Sequence, residues 1–128
     1  MNQKQYLIAG AVIVVFIFGF MFFFKAPAAT KTTTNNVSAY QGKMVLFYGN
    51  TCPHCAKVES FIKNNNIDQK LSFEQKEVYD NKANAEIMKD LASACNIPIN
   101  GMGVPFFWDG SKCLIGDEPI INFFSQSK

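Results

Sequence analysis

The feature that most constrains this chain is an unbroken apolar run at residues 7–24, whose 18 residues include only apolar side chains and two glycines. A helix rises about 1.5 Å per residue, so this run together with Tyr6 would span roughly 28 Å, close to the roughly 30 Å hydrocarbon core of a bilayer. Such a segment does not belong to a water-soluble core. We predict that residues 1–24 form an N-terminal membrane anchor, with residues 6–24 in the bilayer.

A cleaved secretory signal is the alternative to an anchor, because Ala26-Pro27-Ala28 offers a crude small-x-small cleavage site. The apolar run is longer than the roughly 7 to 15 residues usual in such signals, which favours the anchor. Lysines after the run outnumber those before it, which leans weakly against export of the C-terminal part. The very short N-terminal tail and the tendency of sizeable domains to be translocated regardless favour a single-pass protein whose C-terminal domain is extracytoplasmic, in the cell envelope.

The rest of the chain divides into a linker and one domain. Residues 25–39 are rich in Ala, Thr and Asn without helical or strand periodicity, which predicts a flexible linker, and residues 40–128 suffice for one domain. Beyond residue 29 the chain has ten lysines, ten acidic residues and no arginine. This balance lacks the basic surface that nucleic-acid binding needs, so we expect no nucleic-acid partner, and we expect a monomer.

Hydrophobic periodicity predicts alternating strands and helices in residues 40–128. The predicted strands cover residues 44–48, about 71–78, 104–108 and 111–115. The predicted helices begin at Cys52, with Pro53 in the first helical position, at Ala83, and at Asp117, which can cap the last helix. This order predicts an α/β fold, a mixed four-stranded sheet in the order β-α-β-α-β-β-α with flanking helices and a right-handed crossover after the first strand.

The last two strands flank Asp109-Gly110, a dipeptide typical of two-residue hairpin turns. In that register Trp108 lies opposite Ser111 and Phe106 opposite Cys113. Cys113 would then share a sheet face with Phe106 and Trp108.

The chemistry of the chain is concentrated in Cys52-Pro53-His54-Cys55. Two thiols at positions i and i+3 of a first helical turn can close a short disulfide, and the first lies over the positive end of the helix dipole. We therefore predict Cys52 as the attacking thiolate and Cys55 as the resolving thiol. His54 is either an imidazole that favours the Cys52 thiolate or an exposed spacer.

Other uses of the cysteines stay open at this point. Cys52, Cys55 and His54 could be ligands of a metal-binding or metal-delivery module, although no second CxxC occurs and His54 is the only histidine. The pair could also be a plain structural disulfide. Cys95 and Cys113 are buried thiols, a second disulfide, or a pair that shuttles electrons to the first. We expect no cofactor and no metal beyond the redox-active disulfide itself.

Residues 47–55, Phe-Tyr-Gly-Asn-Thr-Cys-Pro-His-Cys, with Gly103-Val104-Pro105 some fifty residues later, resemble the thioredoxin superfamily over residues 43–126. The Pro-His dipeptide is similar to Dsb-type oxidoreductases and to the thioredoxin-like domains associated with vitamin K epoxide reductase homologues, and the short element order is similar to glutaredoxins. The resemblance implies that Pro105 is a cis-proline lying against the disulfide. It also implies that Val104, with Gly103 beside it, pairs through its backbone with an extended substrate.

The resemblance further implies a protein thiol-disulfide oxidoreductase that acts on thiols and disulfides of extracytoplasmic proteins and is recharged by a redox partner protein. Two departures bear on the mechanism. Leu46 stands where thioredoxins have a buried acid, so the proton acceptor of Cys55 is not identified. The stretch 115–118 matches the glutathione-binding stretch of glutaredoxins only in part, which leaves a glutathione-dependent reductase as an alternative.

Overall fold

The structure is a computed structural model and describes residues 33–127. The predicted anchor, residues 1–24, lies outside the described residues. Between residues 33 and 127 no helix has the length and apolar character needed to cross a membrane.

The described residues form five α-helices, one of them a single short turn, and four strands, together with a 3-10 turn at Ile99–Gly101. In chain order they are α1 (Thr33–Tyr40), β1 (Val45–Tyr48), α2 (Pro53–Asn65), α3 (Ile67–Lys70), β2 (Glu74–Glu77), α4 (Lys82–Ala94), β3 (Phe106–Trp108), β4 (Cys113–Ile115) and α5 (Asp117–Gln126).

The four strands form one mixed sheet in the order β2-β1-β3-β4. β1 pairs parallel with β2 across the crossover through α2, and it pairs antiparallel with β3, which pairs antiparallel with β4. The predicted mixed four-stranded α/β fold is confirmed. β1 is central and apolar, whereas the edge strand β2 consists of Glu74, Gln75, Lys76 and Glu77.

Alternate residues of β1 face opposite sides of the sheet, and each side has its own hydrophobic cluster. Val45 and Phe47 pack with α4 on one side, whereas Leu46 packs with α2 and α5 on the other. Phe107 centres the second cluster, with its ring centroid 5.1 Å from those of Phe123 and Phe124. Burying a side chain of this size contributes about 1.5 to 3 kcal/mol, so this cluster fixes α2, which carries the cysteine pair, against the sheet.

The helix α1 corrects the linker prediction, which is wrong for residues 33–39; residues 25–32 lie outside the described part of the chain. Asn36 Nδ2 donates a hydrogen bond to Asp90 Oδ2 at 2.7 Å, and Trp108 Nε1 donates to the Tyr40 carbonyl at 2.8 Å. Val37 and Tyr40 pack against the first cluster. So short a helix is stabilised by tertiary contacts rather than by its own propensity, and these contacts leave little trace in the sequence.

The hairpin register also differs from the prediction. Trp108 lies opposite Cys113, and the connection is the four-residue segment 109–112 instead of a two-residue turn. Asp109 Oδ1 accepts hydrogen bonds from the backbone N–H groups of Ser111 at 2.8 Å and Lys112 at 2.6 Å, which stabilises the longer turn. Because the pairing moves by two residues, Cys113 keeps the predicted sheet face that it shares with Trp108.

Cys95 and Cys113 form a disulfide, with 6.2 Å between their Cα atoms. It joins the C-cap of α4 to the first residue of β4. The bond contradicts the interpretation of two unpaired buried thiols and fits both interpretations that pair them, a structural disulfide and an electron-shuttle pair.

Candidate active site

Cys52 lies at the N-cap of α2, directly after the turn that follows β1. Its backbone is extended, its sulfur accepts the backbone N–H of Cys55 at 3.2 Å, and Pro53 occupies the first turn. The backbone N–H of Cys52 donates to the Gly49 carbonyl at 3.1 Å, which fixes the turn. The predicted start of the helix is confirmed, and a first-turn N–H points at the sulfur from the positive end of the helix.

The two thiols of the motif are buried and are not bonded to each other in this structure. Cys52 is 9% exposed and Cys55 6% exposed. The Cys52 thiol donates a hydrogen bond to the Val104 carbonyl at 3.6 Å, and the Val104–Pro105 peptide bond is cis. The structure thus brings the loop before β3 to the cysteine pair, with the cis bond that the family resemblance implied. At Gly103 a Cβ would meet no atom within 4 Å, so open space lies beside this loop.

The two cysteines differ in their surroundings. Burial, followed by the hydrogen bond with Cys52, raises the pKa of the Cys55 thiol from 9.0 to about 12. Cys55 therefore remains a protonated thiol at neutral pH and a donor toward its neighbour. This asymmetry favours Cys52 as the group that reacts first.

Cys52 and Cys55 both line a cleft of about 270 Å³. Leu46 forms part of its wall, and polar side chains, among them Glu59 and Gln75, line it as well. A water molecule occupies about 30 Å³, so the cleft has room for water beside Cys55. The Leu46 side chain is apolar and offers no proton acceptor for Cys55.

His54 is directed to a partner that the sequence did not indicate. Its side chain is 61% exposed, and Nδ1 lies 3.1 Å from Asp117 Oδ1, while Lys57 Nζ lies 3.0 Å from Asp117 Oδ2. Hydrogen bonds from Lys57 and then His54 lower the pKa of Asp117 to about 2. The imidazole therefore makes a hydrogen bond with α5, an interaction that neither interpretation of His54 from the sequence included.

Asp117 does not cap α5, and that prediction is wrong. The N-cap is Gly116, whose φ of 90° suits glycine, and Asp117 is the first helical residue. From there its carboxylate reaches across to α2, where His54 and Lys57 are one turn apart. The spacing of three residues between His54 and Lys57 places both on one helix face. Asp117 lies 63 residues from His54, so no local sequence pattern indicates that the two interact.

A loop after β2 borders the site and was not identified from the sequence. The Glu77 carboxylate accepts the backbone N–H groups of Tyr79 at 2.7 Å, Asp80 at 2.9 Å and Asn81 at 3.2 Å. Asn50, in the turn before Cys52, donates through Nδ2 to Asp80 Oδ2 at 2.7 Å. These bonds hold the loop against the turn that presents Cys52.

The sequence also allows Cys52, Cys55 and His54 to be the ligands of a metal ion. Within the described range 33–127, no three or more His, Cys, Asp or Glu side chains come together in a group that could hold a metal ion.

Comparison with known proteins relates the chain to solved structures. No family model matches it, and no curated protein matches it. A wheat glutaredoxin matches at 16% sequence identity over 81% of this chain and 98% of its own, with a TM-score of 0.50. A glutaredoxin from Archaeoglobus fulgidus matches at 19% identity over 59% of this chain and 75% of its own, with a TM-score of 0.42. At these identities the likeness concerns architecture alone, and the described part of the chain has the thioredoxin-like fold that glutaredoxins have.

Proposed function

We propose that the protein is a thiol-disulfide oxidoreductase acting on protein substrates, with Cys52 as the attacking and Cys55 as the resolving residue. One observation carries the proposal. The Cys52 sulfur, at the N-cap of α2, accepts the Cys55 N–H at 3.2 Å and lies 3.6 Å from the carbonyl oxygen of Val104, beside cis-Pro105. A nucleophile, a stabilising donor and a backbone segment able to align a substrate therefore lie together.

In the first step the Cys52 thiolate attacks one sulfur of a partner's disulfide. A bond forms between Cys52 and that sulfur, the partner's S–S bond breaks, and its other sulfur leaves as a thiolate. The N–H of Cys55 and the positive end of α2 stabilise the charge on Cys52 before the attack. The raised pKa of Cys55 keeps the second thiol out of this step.

In the second step Cys55 resolves the mixed disulfide. It transfers its proton to water in the cleft and attacks the Cys52 sulfur, so that the Cys52–Cys55 disulfide forms and the partner leaves as its second thiolate. Two electrons have then passed from the dithiol to the partner. The same steps in reverse oxidise a partner dithiol, and the redox partner that recharges the pair sets the direction.

The substrate contact in this proposal is the loop before β3. The protonated Cys52 thiol donates a hydrogen bond to the Val104 carbonyl oxygen. Once the thiol is deprotonated, this oxygen becomes free to pair with an extended substrate segment. The open space beside Gly103 leaves room for that segment. We place the reaction in the cell envelope, with residues 6–24 as the tether.

The test is to trap the first intermediate. Cys55→Ala in the full chain should accumulate mixed disulfides through Cys52, visible as higher bands on non-reducing gels that disappear on reduction. Cys52→Ala is the matched control and should form none. If Cys55→Ala gives no adducts beyond those of Cys52→Ala, the proposed function is wrong.

A further inference from the structure

Tyr79 is a large aromatic residue that the fold holds at the surface beside the cysteine pair. Its side chain is 53% exposed, so core packing does not account for its position. Its backbone is held by the Glu77 carboxylate at 2.7 Å, and the next residue, Asp80, is held by Asn50. The loop therefore delivers this ring to a defined place.

That place is the turn before Cys52. A Cβ built on Gly49 would overlap Cε2, Cζ and Cδ2 of the Tyr79 ring, so the ring lies directly against the glycine. Gly49 has no positive φ, and a glycine is needed here because of the close approach of the ring rather than because of the backbone conformation. The carbonyl of the same glycine accepts the Cys52 N–H at 3.1 Å.

The ring carbon Cζ, which carries the hydroxyl of Tyr79, is among the atoms nearest to the Gly49 position, three residues before Cys52. Partial desolvation, then the charges of Cys52 and Cys55 and a hydrogen bond with the Cys52 side chain, raise the pKa of Tyr79 above its usual value. The hydroxyl is thus protonated at neutral pH and available as a donor.

We propose that Tyr79 is a third catalytic residue, whose hydroxyl donates a hydrogen bond to the Cys52 sulfur and stabilises its thiolate. This inference deepens the proposed function and rests on it for its biological meaning. The donor acts when Cys52 attacks a partner disulfide and, in the reverse direction, when Cys52 leaves the mixed disulfide, because its sulfur carries negative charge in both events.

The experiment compares the full chain with its Tyr79→Phe variant. It measures the rate of Cys52 alkylation by iodoacetamide between pH 5 and pH 10, with peptide mass mapping to identify the modified cysteine. This change keeps the ring and removes the hydroxyl. We expect a rate about tenfold lower at pH 6, the equivalent of about 1.4 kcal/mol, with the difference closing toward pH 10 where the thiolate forms without help. A merely structural loss would alter the rate at every pH. Superimposable profiles would overturn the proposal, and Tyr40→Phe, at a tyrosine packed against the first hydrophobic cluster, should leave the profile unchanged.

A second variant tests the contact itself. Gly49→Ala should displace the ring and reproduce the slow alkylation at pH 6 with Tyr79 intact, and Gly49→Ala combined with Tyr79→Phe should be no slower than either change alone. Additive effects would overturn the role of the ring contact. Alkylation requires no disulfide partner, so the two experiments can fail separately. If Cys55→Ala traps no partner but Tyr79→Phe slows alkylation, only the proposed function is rejected. If Cys55→Ala traps partners but Tyr79→Phe leaves alkylation unchanged, only this inference is rejected.

Discussion

The difference between the two thiols gives the most quantitative prediction. The pKa of Cys55 is raised from 9.0 to about 12, so its thiolate fraction at pH 7.5 is about a thousandfold lower than that of a thiol with the ordinary value. Only thiolates react with iodoacetamide at useful rates. We expect brief treatment at pH 7.5, after mild reduction of the cysteine pair, to place a single carbamidomethyl group on Cys52 and none on Cys55.

Mass mapping after a timed quench measures the two sites separately, and the same treatment in 8 M urea, which removes the burial, should modify both equally. Burial is the largest cause of the raised pKa, and the hydrogen bond with Cys52 is the second. In Cys52→Ser, Cys55 should therefore still react far more slowly than it does in urea. Alkylation of folded Cys55 as fast as in urea, or faster than that of Cys52, would refute the reasoning.

Three further predictions concern stability of the full chain, followed through the single tryptophan, Trp108. Replacing both Cys95 and Cys113 by alanine should lower the free energy of unfolding by about 3 kcal/mol, because the disulfide closes a loop with a sequence separation of 18 residues and so restricts the unfolded chain. Urea titration measures this, and an unchanged midpoint would contradict it. Asp117→Asn should lower the free energy of unfolding at pH 7, because the pKa of Asp117 in the folded protein is lowered from 3.8 to about 2 and its ionised carboxylate stabilises the fold above pH 4. The difference between the variant and the parent should disappear as pH falls from 4 to 2. A difference that does not change with pH would argue against the ion pairs. Asn36→Ala should cost about 1 to 2 kcal/mol because it removes a donor from the buried Asp90 carboxylate, and a neutral result would mean that α1 is not held by this bond.

The elements that carry the cysteine pair could be predicted because their signals are local. An apolar strand, a thiol cap and Pro53 lie next to one another in the chain, and the structure has each of them in the expected role. The mixed sheet follows from the order of such elements. The cis bond at Pro105 could be expected only from the family resemblance.

What could not be predicted depends on distant partners. α1 has few apolar residues and is held through residues such as Asp90 and Trp108, more than fifty positions away. Asp117 fits the sequence pattern of a helix cap, yet its carboxylate is bonded to His54 across the fold. Tyr79 is exposed, so no burial pattern marks it, and its place depends on the Glu77 carboxylate within its own loop.

The polar edge strand β2 has a consequence for self-association. An unpaired strand edge invites another strand to add to the sheet, and charged side chains there oppose this because they would have to lose water. Here the edge presents two glutamates and a lysine, with Lys76 bonded to Glu74 at 2.9 Å and lying 5.6 Å from the Tyr40 ring centroid. Sheet extension from this side would break that arrangement. The fold therefore resists edge-to-edge aggregation on this side, where β2 alone separates the apolar strand β1 from the edge of the sheet.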